Sequence, residues 1–109
     1  MPTELPWSPI LVGKRIRHVR HAHGLSQSQF VRTYGGSVTA LSKWERGRQR
    51  PKIASAVKIV DAFDLTLDYL FLGRTATLRH SVATHLITAR VMAEPVEWFP
   101  GWPEKDKDR

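Results

Sequence analysis

The sequence contains no cysteine. Disulfides, thiolate metal sites and cysteine nucleophiles are therefore excluded together, and the absence is compatible with a reducing cytosol. No apolar run approaches the ~18 residues that a membrane-spanning helix needs. The first residues lack the basic region followed by an apolar stretch that marks a secretory signal. No segment alternates apolar and polar residues as a half-buried strand does, and there is no internal repeat or low-complexity tract. Acid is scarce in the first half, where Glu45 is the one acid between residues 5 and 60. These absences predict an all-α protein with neither a membrane anchor nor a cofactor.

What remains is a chain of 109 residues, 41% hydrophobic and 25% charged. That length matches one domain able to bury a core unaided. The net charge is +7, and its distribution tells more than its sum. Residues 1–52 carry ten Lys and Arg against Glu4 and Glu45, giving +8, whereas residues 53–109 carry seven against eight acids, giving −1. A cationic excess confined to one half of a small protein points to a polyanionic partner for that half.

Residues 1–8, with Pro2, Pro6 and Trp7, read as an extended arm. Pro9 can open a first helix because its missing N–H is an orphan there anyway. Val12, Ile16 and Val19 follow at helical spacing, and Gly24 closes the segment. Ser26 and Gln29 form a capping box for a second helix, Gln27–Tyr34, with Phe30, Val31 and Tyr34 on its apolar side. Gly35 and Gly36 break it. Ser37 caps a third helix running to Arg46, with Leu41 and Trp44 inward and Gly47 just past its end. A loop spans Arg48–Pro51. A fourth helix from Ile53 shows Val57, Val60 and Phe63, and Thr66 caps a fifth with Leu67, Leu70 and Phe71 that ends at Gly73. Residues 75–93 predict a sixth helix with the stripe Leu78, Val82, Leu86 and Ala89. The last stretch, 94–109, holds three prolines and two tryptophans and reads as an irregular tail.

Two short helices around a glycine turn have the geometry of a helix-turn-helix. The second must pack inward through one stripe, leave its outer face free of bulk and acid, and carry cations on its flanks. The run from Gly13 to Gly73 resembles the Cro/repressor, or XRE, family. The resemblance rests on Gly24-Leu25-Ser26-Gln27 opening the second helix, the turn glycine Gly35, Trp44-Glu45-Arg46-Gly47, Arg50-Pro51, and the stretch from Leu67 to Gly73, all in register without a gap. It covers somewhat over half the chain. It implies a five-helix lambda-repressor-like DNA-binding domain over 9–73, to which the sequence pattern adds a helix over 74–93 and an irregular tail. It also implies a protein of the bacterial cytoplasm or a phage-infected cell.

Residue by residue, the resemblance implies base contacts from Val38, Thr39, Ser42 and Lys43, with Val38 limited to apolar contact such as a thymine methyl. It implies a phosphate contact from Gln27. The cations Arg46, Arg48, Arg50 and Lys52 flank the same helix and are expected on phosphates. It further implies an internal ion pair of Arg20 with Glu45, which would turn the lone acid away from DNA. Three positions depart from the family: Val31 stands for the usual alanine, Gly36 for an apolar residue, and Asp64 for a glycine.

The implied function is a sequence-specific duplex-DNA-binding regulator, a repressor acting as a homodimer on an inverted repeat. The stripe Leu78, Val82, Leu86 and Ala89 is either core or a dimer seam; a five-helix domain does not need it, which favours the seam. The alternative function is an antitoxin-type module, with residues 94–109 holding a protein partner and the DNA-binding domain serving autoregulation. Catalysis is not expected. Ser26, Ser28 and Ser42 read as caps and DNA-facing hydroxyls, and Asp61, Asp64 and Asp68 sit where helix ends and turns use Asp. No acid–base pair assembles. His18, His21, His23, His80 and His85 lack an acid or thiol to complete a metal site and read as polar helix faces.

Overall fold

In a computed structural model of the chain, residues 5–92 are described; the tail expected over 94–109 and the first residues of the arm lie outside them. The described residues form six α-helices and no strand: α1 Pro9–Ala22, α2 Gln27–Tyr34, α3 Val38–Glu45, α4 Ile53–Phe63, α5 Leu67–Leu72 and α6 His80–Met92.

Local chemistry sets the boundaries. Ser8 caps α1 through its side chain to the Leu11 N–H, with Pro9 in the first helical position. Ser26 and Gln29 make the reciprocal capping box of α2, at 3.1 Å from the Gln29 N–H to the serine hydroxyl and 2.8 Å from the Ser26 N–H to the Gln29 side chain. Ser37 and Thr66 cap α3 and α5 through their hydroxyls alone, which accept from the Ala40 and Tyr69 N–H groups. Asp64 ends α4 in the left-handed conformation at φ 56°, the place where the family has glycine and where Asp is among the better-tolerated alternatives.

The core is built around α1. Val12, Ile16 and Val19 are fully buried, joined by Phe30, Leu41, Ile59 and Leu70. Helix α1 packs on α3, α5 and α6. Its approach to α3 is possible only because residue 13 is glycine: a Cβ there would collide with the carbonyl oxygen of Trp44.

The structure corrects two readings. In α4 the buried stripe is Ala56, Ile59 and Phe63; Val60 is half-buried and Val57 is 46% exposed. Ser55, Lys58 and Asp61 mark the outer side of this helix; Val57 lies with Ile53 at the edge of the apolar arc, and packing on α2 and α5 decides which part of that arc is buried. The sixth helix begins at His80, not near 75. The preceding stretch is a turn pinned by its side chains: Thr77 shares a hydroxyl hydrogen bond with Thr66 at 2.7 Å, and Arg79 Nε donates to Asp64 Oδ2 at 2.6 Å.

Leu78, on that turn, and Leu86, on α6, are buried in the chain's own core, with Val82 packed against it. Ala89 is half-buried. Two members of the candidate dimer seam are thus already used inside a single chain. The histidines also do more than line a polar face. Buried His18 donates from Nε2 to the Leu86 carbonyl at 2.8 Å, and His85 Nε2 donates to the Ala22 carbonyl at 2.8 Å. The His23 and His85 rings stack with centroids 5.3 Å apart, beside Phe63. Together they fasten α6 to α1. Among the described residues no group of three or more His, Asp or Glu is placed to hold a metal ion.

Candidate nucleic-acid interface

Helices α2 and α3 meet across Gly35, which takes the left-handed conformation at φ 82°. Gly36, where the family carries an apolar residue, has a local reason. The Tyr34 ring lies over it, and a Cβ at residue 36 would run into that ring. Tyr34 itself is buried, and its phenol pKa is pushed up to about 12, first by desolvation and then by the negative charge of Glu45. The ring therefore fills the space next to the turn as a neutral, largely apolar group.

On α3 the two faces separate cleanly. Leu41, Trp44 and Glu45 are buried. Val38, 38% exposed, Thr39 and Lys43 lie on the open face with half-buried Ser42 beside them. This is the face expected to read bases. Arg46 caps the C-terminus, and Arg48, Arg50 and Lys52 follow on the loop to α4, all four exposed. Cations at the negative end of α3 are electrostatically at home and remain available to a phosphate backbone. Arg50 has one further partner: its Nη1 donates to the Trp7 carbonyl at 3.1 Å.

The lone acid of this half is turned inward. The Glu45 side chain is 3% exposed. Arg20 grips it with both arms of its guanidinium, Nε to Oε2 at 2.7 Å and Nη2 to Oε1 at 2.8 Å, the bidentate geometry that gives carboxylate–arginine pairs their strength. Gln27 Nε2 donates to Glu45 Oε1 at 3.1 Å, and Arg17 Nε lies 4.0 Å from the same oxygen. One carboxylate thus ties α1, α2 and α3 together. Gln27, expected on a phosphate, sits at the first position of α2 with its side-chain amide on Glu45.

Sequence reasoning missed two guanidiniums. Arg17 precedes Arg20 by one helical turn, and that spacing was the available signal for a second cation near Glu45. Arg15 gave no local signal, because its partners are distant in sequence. Its Nη1 donates to the carbonyls of Pro6 at 2.7 Å and Leu70 at 3.1 Å, and its pKa is lowered by burial.

The architecture and the outward face of α3 define a helix-turn-helix DNA-binding domain. The sequence pattern of the helix-turn-helix family matches residues 16–70, and the chain belongs to that family, in its Cro/repressor or XRE type. It is 35% identical over 66 residues to the cryptic phage CTXphi transcriptional repressor RstR of Vibrio cholerae, covering 61% of this chain and 58% of that one. It is 34% identical over 62 residues to an uncharacterised HTH-type transcriptional regulator of Rickettsia conorii, covering 57% and 50%. An uncharacterised transcriptional regulator in the ATPase CF(0) region of Rhodospirillum rubrum is 37% identical over 60 residues, covering 55% and 56%. The chain thus spans little more than half the length of these relatives. No solved structure matches it.

Proposed function

We propose that this protein is a transcriptional repressor that binds an inverted-repeat operator as a homodimer in the bacterial cytoplasm or a phage-infected cell. The observation that carries the reading is the division of charge around α3. An acid-free outer face with Val38, Thr39, Ser42 and Lys43 is followed by four exposed cations, while Glu45 is buried and neutralised by Arg20. The face supplies base choice, and the cations supply affinity and register. Two copies would set their α3 helices in successive major grooves, about one DNA turn or ~34 Å apart. Repression is favoured by likeness to a relative named as a phage transcriptional repressor.

Selection of bound duplexes from a random DNA pool at two salt concentrations tests this reading. The expected result is an enriched inverted repeat with fixed half-site spacing, bound more weakly as salt rises. Retention that fades with salt and enriches no sequence would reject sequence-specific regulation. Enrichment of a single half-site would reject the homodimer.

A further inference from the structure

The N-terminal turn is fastened to the loop that carries the phosphate-facing cations. Arg50 holds the Trp7 carbonyl, Arg15 holds the Pro6 carbonyl, and the Ser8 N–H closes the turn on the Leu5 carbonyl at 2.9 Å. At the other edge Ile10 packs on Gly47, where a Cβ would lie 2.9 Å from Ile10 Cγ1. These contacts set Trp7 beside the loop of Arg46, Arg48, Arg50 and Lys52. The indole stays 44% exposed, with Leu5 and Ile10 exposed on either side of it in sequence. Tryptophan is ordinarily well buried, and its N–H ordinarily finds an acceptor.

We propose that Trp7 is a DNA-backbone contact: its indole N–H donates to a phosphodiester oxygen, and its ring lies against the deoxyribose of the strand gripped by the 46–52 loop. The inference rests on the DNA-binding reading above. Charge selects this occupant over a second copy of the chain. The turn adjoins four exposed cations, and the nearby acid Glu45 is buried and neutralised. A two-fold contact across this edge would bring those cations against their own copies, which is unfavourable. A polyanion satisfies them while accepting the indole hydrogen bond.

The test uses the full chain with Trp7→Phe, which keeps an aromatic ring but removes the donor, and Trp7→Ala, which removes both. Arg50 bonds the backbone carbonyl, so neither change deletes that contact, and helical content by circular dichroism checks that each variant is folded. Binding is measured on the selected duplex and on a scrambled one across a salt series. Expected is a loss of roughly tenfold in Kd for Trp7→Phe, in the range of a lost hydrogen bond to a charged acceptor, and a larger loss for Trp7→Ala. The loss should be equal on both duplexes, because backbone contacts carry no sequence information. The salt slope should stay unchanged, because no cation is removed. Wild-type affinity in both variants overturns the proposal. So does a variant whose sedimentation mass falls without DNA, which would assign the patch to contact between copies. If the wild-type chain binds neither duplex, the DNA-binding reading fails first.

Discussion

At the scale of single residues, Glu45 decides how the DNA-facing half is held. Its carboxylate accepts from Arg20 and Gln27 and lies close to Arg17. Removing one partner of a buried pair leaves the other charge without compensation, so Glu45→Ala is expected to lose ~3–5 kcal/mol of stability by urea unfolding. A double-mutant cycle with Arg20→Met should return part of that loss, since the stranded cation is then gone as well. Tyr34 gives a second test. Its phenol titrates higher in the folded chain, about 12, than in the unfolded chain, ~10. An acid with a raised folded pKa stabilises the fold below the unfolded pKa and loses that contribution as pH rises through the window up to the folded pKa. The urea midpoint should therefore fall between pH 10 and about 12 more steeply in the wild type than in Tyr34→Phe. Superimposed curves would show that the phenol does not feel Glu45 or its burial.

At the scale of helices, the contact of α1 with α3 depends on one missing methyl group. Alanine in place of glycine inside a helix ordinarily stabilises by about 1 kcal/mol. At residue 13 the sign should reverse, because the added carbon meets the Trp44 backbone, which has no rotamer to relieve it. Gly13→Ala is expected to destabilise by ~1–3 kcal/mol, the range of overpacked cores, and to lower the melting temperature. It should also weaken DNA binding, because α3 shifts with Trp44. A stabilised variant would mean that the two helices separate freely, and then the position of α3 would not depend on α1.

At the scale of the whole molecule, α6 completes the core of a single chain. Leu86→Ala should cost ~2–5 kcal/mol of stability and leave the sedimentation mass unchanged, because Leu86 is buried against the chain's own α1 side. A fall in mass with little loss of stability would instead return this stripe to a dimer seam. The salt dependence of binding belongs to this scale too. If Arg46, Arg48 and Lys52 each neutralise a phosphate, each change to Gln should lower the slope of log K against log salt by ~1. These changes should weaken binding to all duplexes alike, whereas Lys43→Ala should reduce the preference for the selected one.

The sequence alone determined what short-range chemistry controls. Serine and threonine caps, the capping box, and glycines and Asp64 at left-handed helix ends act within one or two helical turns. The first three helices and the outward face of α3 were therefore legible. Helix α4 was legible as a helix with Ser55, Lys58 and Asp61 on its outer side, but only packing on α2 and α5 decided that Val57, at the edge of its apolar arc, stays exposed. The start of α6 was not legible: Asp64, Thr66 and their partners on residues 77–79 meet only after α4 and α5 are in place. Only the tertiary structure could decide that Leu78 and Leu86 belong to the chain's own core, that histidines clasp α6 to α1, and that Arg15 and Arg50 hold the N-terminal turn. Each of these depends on groups separated by 9 to 68 residues, and no local pattern encodes a contact whose two halves are brought together only by the packing of everything between them.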